Sequence, residues 1–264
     1  QQAVGYYQKV EVISLLDNGA KKRDILAALK HLSETIQPED GLIVYFSGHG
    51  AARGDRFYLV PSDIGYMGPR TRVDAPGLET ILAHSISDLD LQAAFRNVDA
   101  GLLLLIVDAC NSGKALQADD WRRGPMDTKG LGQLAYEKGM YVLTASQDAE
   151  LAYESKALKH SYLTYALVEE GLKLKVKEAD ANGDGNLTLK EWLDYAAKRV
   201  PRLRQEELEI AARQGNKSLE RVDMSEEGRV QQPKVFYRRE PDVEPIIVAR
   251  TGAARKDSSS ATDK

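Results

Sequence analysis

A lone cysteine, Cys110, and a histidine 61 positions before it (110 − 49) each follow an apolar run that ends in small residues. The two segments are Tyr45-Phe46-Ser47-Gly48-His49-Gly50 and Val107-Asp108-Ala109-Cys110-Asn111-Ser112-Gly113. A thiol near neutral pH is mostly protonated, and an imidazole beside it either takes that proton or, as imidazolium, stabilises the thiolate. The pair is therefore read as a nucleophile, Cys110, with His49 as its general base and then acid. Glycine at 48, 50 and 113 permits tight turns and lets a peptide approach the backbone, and the amides of Gly50 and Cys110 are expected to face a developing oxyanion. Asp108 precedes Cys110 by two residues, so along a strand both point to the same side. A carboxylate buried there calls for a cation.

A second pattern runs over 180–191. Asp180, Asn182 and Asp184 supply oxygen ligands at positions one, three and five, Gly185 stands at six and Glu191 at twelve, as in the calcium-binding EF-hand loop. Asn186 adds a backbone carbonyl at position seven, and Thr188 at nine acts through water. One such loop without a partner hand is expected to bind calcium modestly; no organic cofactor is expected.

These residues must be held by strands and helices. Apolar runs at 9–16, 41–47, 56–60, 102–109 and 140–145 read as strands, while Ile25, Leu26, Leu29, Leu32 and Ile36 mark one helix face and Leu89, Leu91, Ala94, Phe95 and Val98 another. Continuous apolar strands such as 42–46 and 102–107 need cover on both faces, which indicates an α/β sandwich around a mostly parallel sheet. In an open parallel sheet the carboxyl ends of strands share one edge, with neighbours about 4.8 Å apart, so His49 and Cys110 can meet. The stretch 111–138, with glycines scattered among charges, reads as a long exposed loop. Helices are expected at 161–174, 190–200 and 202–213, the last very polar, with an edge strand at 232–237 and a disordered tail at 251–264. His31, His84 and His160 sit at no glycine-framed strand end and read as surface residues.

The two glycine-framed segments, with Tyr58-Leu59-Val60-Pro61-Ser62-Asp63 between them, resemble the catalytic domain of bacterial caspase-like cysteine peptidases, close to metacaspases. The histidine-to-cysteine separation suits that family, in which the histidine lies about 50 residues upstream. The likeness covers roughly residues 1–200 and extends to 140–154 and 161–167, which resemble the small-subunit strand and helix. It implies a caspase-like three-layer sandwich whose first strand, with the Asn-Asp segment after it, is missing ahead of Gln1, so that this chain is a fragment with fused domains outside it. It also implies a large-subunit part at 1–113, a linker loop at 114–138, and a small-subunit part at 139–200 that includes the calcium loop, followed by a polar extension at 201–250. By the same resemblance Asp108 and Ser47 bind substrate, Asp108 at the base of a pocket for Arg or Lys. If the pocket takes basic residues, the linker offers Arg122, Arg123 and Lys129 as self-cleavage points.

Composition narrows the alternatives. With 264 residues, 42% hydrophobic and 29% charged, the chain can bury a core, and its net charge of −4 gives no electrostatic footprint for nucleic acid. The longest apolar run, 102–107, is far below the ~20 residues needed to span a bilayer. One cysteine excludes an internal disulfide framework and a multi-cysteine zinc site. The reading is a cysteine endopeptidase acting on proteins or peptides. Its alternative is a catalytically silent signalling or scaffold module with a calcium loop, against which the intact Cys110 and His49 argue.

Overall fold

A computed structural model of the chain describes residues 7–68, 73–109, 121–123, 129–145, 154–155, 158–213, 231–236 and 245–250. The first helix, α1 (Lys22–Thr35), is followed by β1 (Gly41–Arg53), β2 (Arg56–Val60), α2 (Ala75–His84), β3 (Ile86–Ser87), α3 (Asp88–Ala94) and β4 (Leu102–Ala109). Then come β5 (Trp121–Arg123), α4 (Lys129–Lys138), β6 (Tyr141–Thr144), the two-residue strands β7 (Glu154–Ser155) and β8 (His160–Ser161), and α5 (Tyr162–Thr164). A π-helix (Tyr165–Leu174), α6 (Val176–Ala179), β9 (Asn186–Thr188), the long α7 (Leu189–Arg213), β10 (Lys234–Phe236) and β11 (Ile247–Arg250) complete the order.

The main sheet runs β10-β6-β4-β1-β2-β3, with β5 beside the far end of β1. Its centre is parallel, β4 lying between β1 and β6, while β10 and the β1–β2 hairpin extend it antiparallel. Buried on both faces, β4 divides its side chains by parity. Leu102, Leu104 and Ile106 join Tyr162, Leu163, Ala166 and Trp192 on one side, whereas Leu103, Leu105 and Val107 join Phe57, Phe95, Leu131 and Leu134 on the other. Helices therefore cover both faces, as the continuous apolar strands require.

Several expected elements come out differently. Residues 9–16 carry alternating valines yet form no strand, and Val10, Val12 and Leu16 are exposed, because none of the described residues pairs with them. The strand expected at 41–47 runs on to Arg53 and turns at Gly54, whose φ of +59° suits glycine, so His49 lies inside a strand rather than in a turn after one. Within the expected 111–138 loop, Trp121–Arg123 form a strand and Lys129–Lys138 a helix. Leu131, Leu134 and Ala135 recur at helical spacing and are buried, which makes 129–138 a helix despite its glycines. Two expected helices fuse into α7 across Pro201, whose missing N–H faces the Ala197 carbonyl and whose flanks Val200 and Leu203 are anchored in the core. The helix over 75–84, capped by Asp74 accepting from the Gly77 amide at 2.9 Å, was not foreseen.

Candidate active site

Asp108, on the last turn of pleat before β4 ends, is 0% exposed. Its register partner across the parallel pair is Ser47, and Tyr45 stands two residues earlier on the same face of β1. The Oδ2 atom of Asp108 accepts hydrogen bonds from the Tyr45 hydroxyl at 3.0 Å, the Thr164 hydroxyl at 2.6 Å and the Ser161 hydroxyl. The Tyr45 and Thr164 hydroxyls also lie 2.6 Å apart, and the Ser161 oxygen caps α5 by accepting from the Thr164 amide at 3.0 Å. Burial pushes the Tyr45 hydroxyl well above the ordinary phenol range, and the Asp108 charge beside it pushes the same way. The other carboxylate oxygen, Oδ1, is buried and has no hydrogen-bond partner among the described residues. Leaving a buried polar atom unpaired costs about 1–3 kcal/mol, and more for a charged group, and no described residue offsets that cost at Oδ1.

β4 ends at Ala109, opposite Gly48, and His49 is the next residue on β1. His49 is exposed, shares a face with Ser47 and Tyr45, and sits opposite Val60 as β1 passes from β4 to its antiparallel partner β2. Gly50 is buried opposite Leu59. Cys110, expected to be the nucleophile, lies outside the described residues, as do Asn111, Ser112 and Gly113. The structure thus gathers His49, Ser47 and Asp108 at the edge where β4 ends.

A family model of the caspase domain matches residues 2–233. The chain belongs to the caspase-domain family. The fold of this caspase domain is similar to that of protein GSU0716 from Geobacter sulfurreducens, known from a crystal structure, with 14% sequence identity and a TM-score of 0.50 over 91% of this chain and 82% of that one. No curated protein matches it. No helix among the described residues is long and apolar enough to cross a membrane.

Elsewhere in the caspase domain, the loop from Asp180 to Glu191 winds around its own carboxylates. Asp180 accepts from the Gly183 and Gly185 amides at 2.9 and 3.0 Å, and Glu191 accepts from the amides of Asn182 at 3.2 Å and Thr188 at 3.0 Å. Gly185 has φ +89°, the backbone twist that position six of such a loop requires. The oxygen-only donor set fits a hard cation. As they stand, however, no three acidic, histidine or cysteine side chains among the described residues are gathered to hold a metal. In place of a partner hand, β9 within this loop pairs antiparallel with β11.

The expected self-cleavage points fall in ordered backbone. Arg122 and Arg123 belong to β5, paired with Ala52 and Ala51 of β1, and Lys129 opens α4. His31, His84 and His160 are all exposed, as expected; His84 closes α2 with its Nδ1 2.8 Å from the Thr80 carbonyl.

Sequence reasoning missed Tyr45, Ser161 and Thr164, the hydroxyls around Asp108. Tyr45 was within reach, since it precedes Ser47 by two and His49 by four on one strand face. Ser161 and Thr164 are separated from Asp108 by 53 and 56 residues, and no local pattern joins them to it. Also unforeseen was Gln231, fully buried, whose amide donates to the Ala145 carbonyl at 2.8 Å just past the end of β6.

Proposed function

We propose that this caspase domain is a cysteine endopeptidase that cleaves after basic residues. The Cys110 thiolate attacks the scissile carbonyl carbon after His49 takes the thiol proton, and the oxyanion is received by the amides of Gly50 and Cys110. His49 then protonates the leaving amine as the C–N bond breaks, and water, deprotonated by the same imidazole, hydrolyses the thioester. The observation that carries this reading is the placement of His49 one residue past the Gly48–Ala109 pair, on the face shared with Asp108. Membership of the caspase-domain family supports the cysteine-peptidase chemistry. A peptide ending in lysine or arginine and bearing a cysteine-reactive electrophile tests it directly. Intact-mass and peptide mapping should find the adduct on Cys110, formed faster than with free thiols; reaction no faster than with glutathione would refute the role.

Calcium belongs to the same proposal. Asp180, Asn182, Asp184, Asn186 and Glu191 would hold the ion, which supplies charge neutralisation to a loop carrying three carboxylates. Isothermal calorimetry is expected to register calcium binding to the wild type and weaker binding, by about tenfold, to Glu191→Gln, because position twelve provides the bidentate ligand. Equal heats from the two proteins would remove calcium from the assignment.

A further inference from the structure

The arrangement around Asp108 says how a cation would be received, an inference that rests on reading Asp108 as the floor of the substrate pocket. Each carboxylate oxygen offers about two lone-pair sites. On Oδ2 these are taken up by the Ser161 and Thr164 hydroxyls, with the Tyr45 hydroxyl as a third neighbour at 3.0 Å, while Oδ1 is left without a partner among the described residues. A guanidinium gains its advantage over an ammonium by forking onto both oxygens of a carboxylate, one N–H to each. Here only one oxygen is available. An ammonium is a compact point charge with three rotatable donors, and it needs only one.

Access favours the same residue. Asp108 has no exposed surface, whereas on the same face of the sheet Tyr45 of β1 is 46% exposed and Ser47, the register partner of Asp108, is exposed as well. A cation reaching Oδ1 must displace side chains on its way, and a slim four-carbon stem opens less room than a planar guanidinium does.

We propose that Tyr45, Ser161 and Thr164 set the specificity of this site by occupying Oδ2, so that a substrate lysine is preferred to arginine at the residue before the scissile bond. The three hydroxyls act as specificity-determining residues through Asp108. They perform no step of the chemistry.

The test is a pair of fluorogenic peptides identical except for lysine or arginine before the cleaved bond. The wild type should show a lysine-to-arginine ratio of kcat/KM above one. In Thr164→Val, which removes a hydroxyl with little change in size, and again when Tyr45→Phe is added to it so that the third neighbour cannot move in, the ratio should fall at least threefold, because Oδ2 is freed to accept the second arm of a guanidinium. A wild-type ratio below one overturns the inference while leaving the basic pocket intact, and so does a ratio that neither variant changes. Cleavage of neutral peptides with no cleavage of either basic one overturns the pocket assignment itself.

Discussion

Cys110→Ala is expected to abolish peptide hydrolysis, lowering kcat by roughly four or more orders of magnitude, since removal of a covalent nucleophile leaves only binding and oxyanion stabilisation. His49→Ala should fall nearly as far. The double variant should be little worse than either alone, because the two side chains act as one unit and their losses do not add. Circular dichroism and thermal unfolding should show both single variants folded; His49 is exposed and contributes little to packing. The same comparison reads self-processing. Fragments ending after Arg122, Arg123 or Lys129 are expected from the active chain and absent from Cys110→Ala. Arg122 and Arg123 lie in a three-residue strand against β1, so cutting there first requires that short ladder to open, and tethering to the cleft supplies a high effective concentration once it does. An active chain that stays intact would rule self-processing out, and hydrolysis persisting in purified Cys110→Ala would refute the mechanism.

Asp108→Ala is expected to remove the preference for basic residues, with kcat/KM on lysine and arginine peptides falling by about 100-fold or more. A site built to pair a buried charge discriminates steeply once that pairing is lost. Neutral peptides should lose much less, so the ratio of basic to neutral cleavage is the diagnostic quantity. The substitution also removes the common acceptor of three hydroxyls, two of them from α5 and its cap. A loss of stability of about 1–3 kcal/mol should accompany it, readable as a lowered denaturation midpoint. Asp108→Asn keeps the shape and most of those bonds while removing the charge. It should therefore lose the basic preference with a smaller loss of stability, separating recognition from folding. Undiminished cleavage of basic peptides by Asp108→Asn would show that the cation is received elsewhere.

The strands that carry the site were legible because they are apolar on both faces. A run such as 102–107 has no polar side to turn outward, so it is the middle of a covered sheet, and β1 and β4 lie in that parallel centre. His49 and Asp108 were legible for the same reason, as polar groups attached to the ends of such runs. The hydroxyls around Asp108 were not, because their contacts are made only once the π-helix side of the sandwich closes on β4. The helix at 129–138 was obscured by Gly130 and Gly132, which lower helix propensity locally while Leu131 and Leu134 supply the burial that decides the outcome. Pro201 misled in the opposite sense. A proline ordinarily ends a helix, but here core anchorage on both sides of it outweighs one lost backbone bond.

The π-helix is fastened just ahead of its first residue and again in its middle. Ahead of it, Ser161 and Thr164, the cap and last residue of α5, bind Asp108; within it, Glu170, 3% exposed, is gripped by Arg199 of α7 at 2.5 and 3.0 Å, and the Trp192 indole donates to the Leu167 carbonyl at 2.8 Å. Burial alone would raise the Glu170 carboxyl, yet the Arg199 guanidinium holds it below the ordinary range, so the far fastening is ionic at neutral pH. A π turn closes its hydrogen bonds five residues on instead of four, so this segment carries surplus residues relative to an α-helix of equal span. Losing one residue would let it relax to the commoner winding, but the remaining side chains would then be rotated by about 100° and could not meet both fastenings at once. Chain length between Thr164 and Glu170 is thus a specification in its own right, as binding on this protein as the identity of any side chain in the cleft.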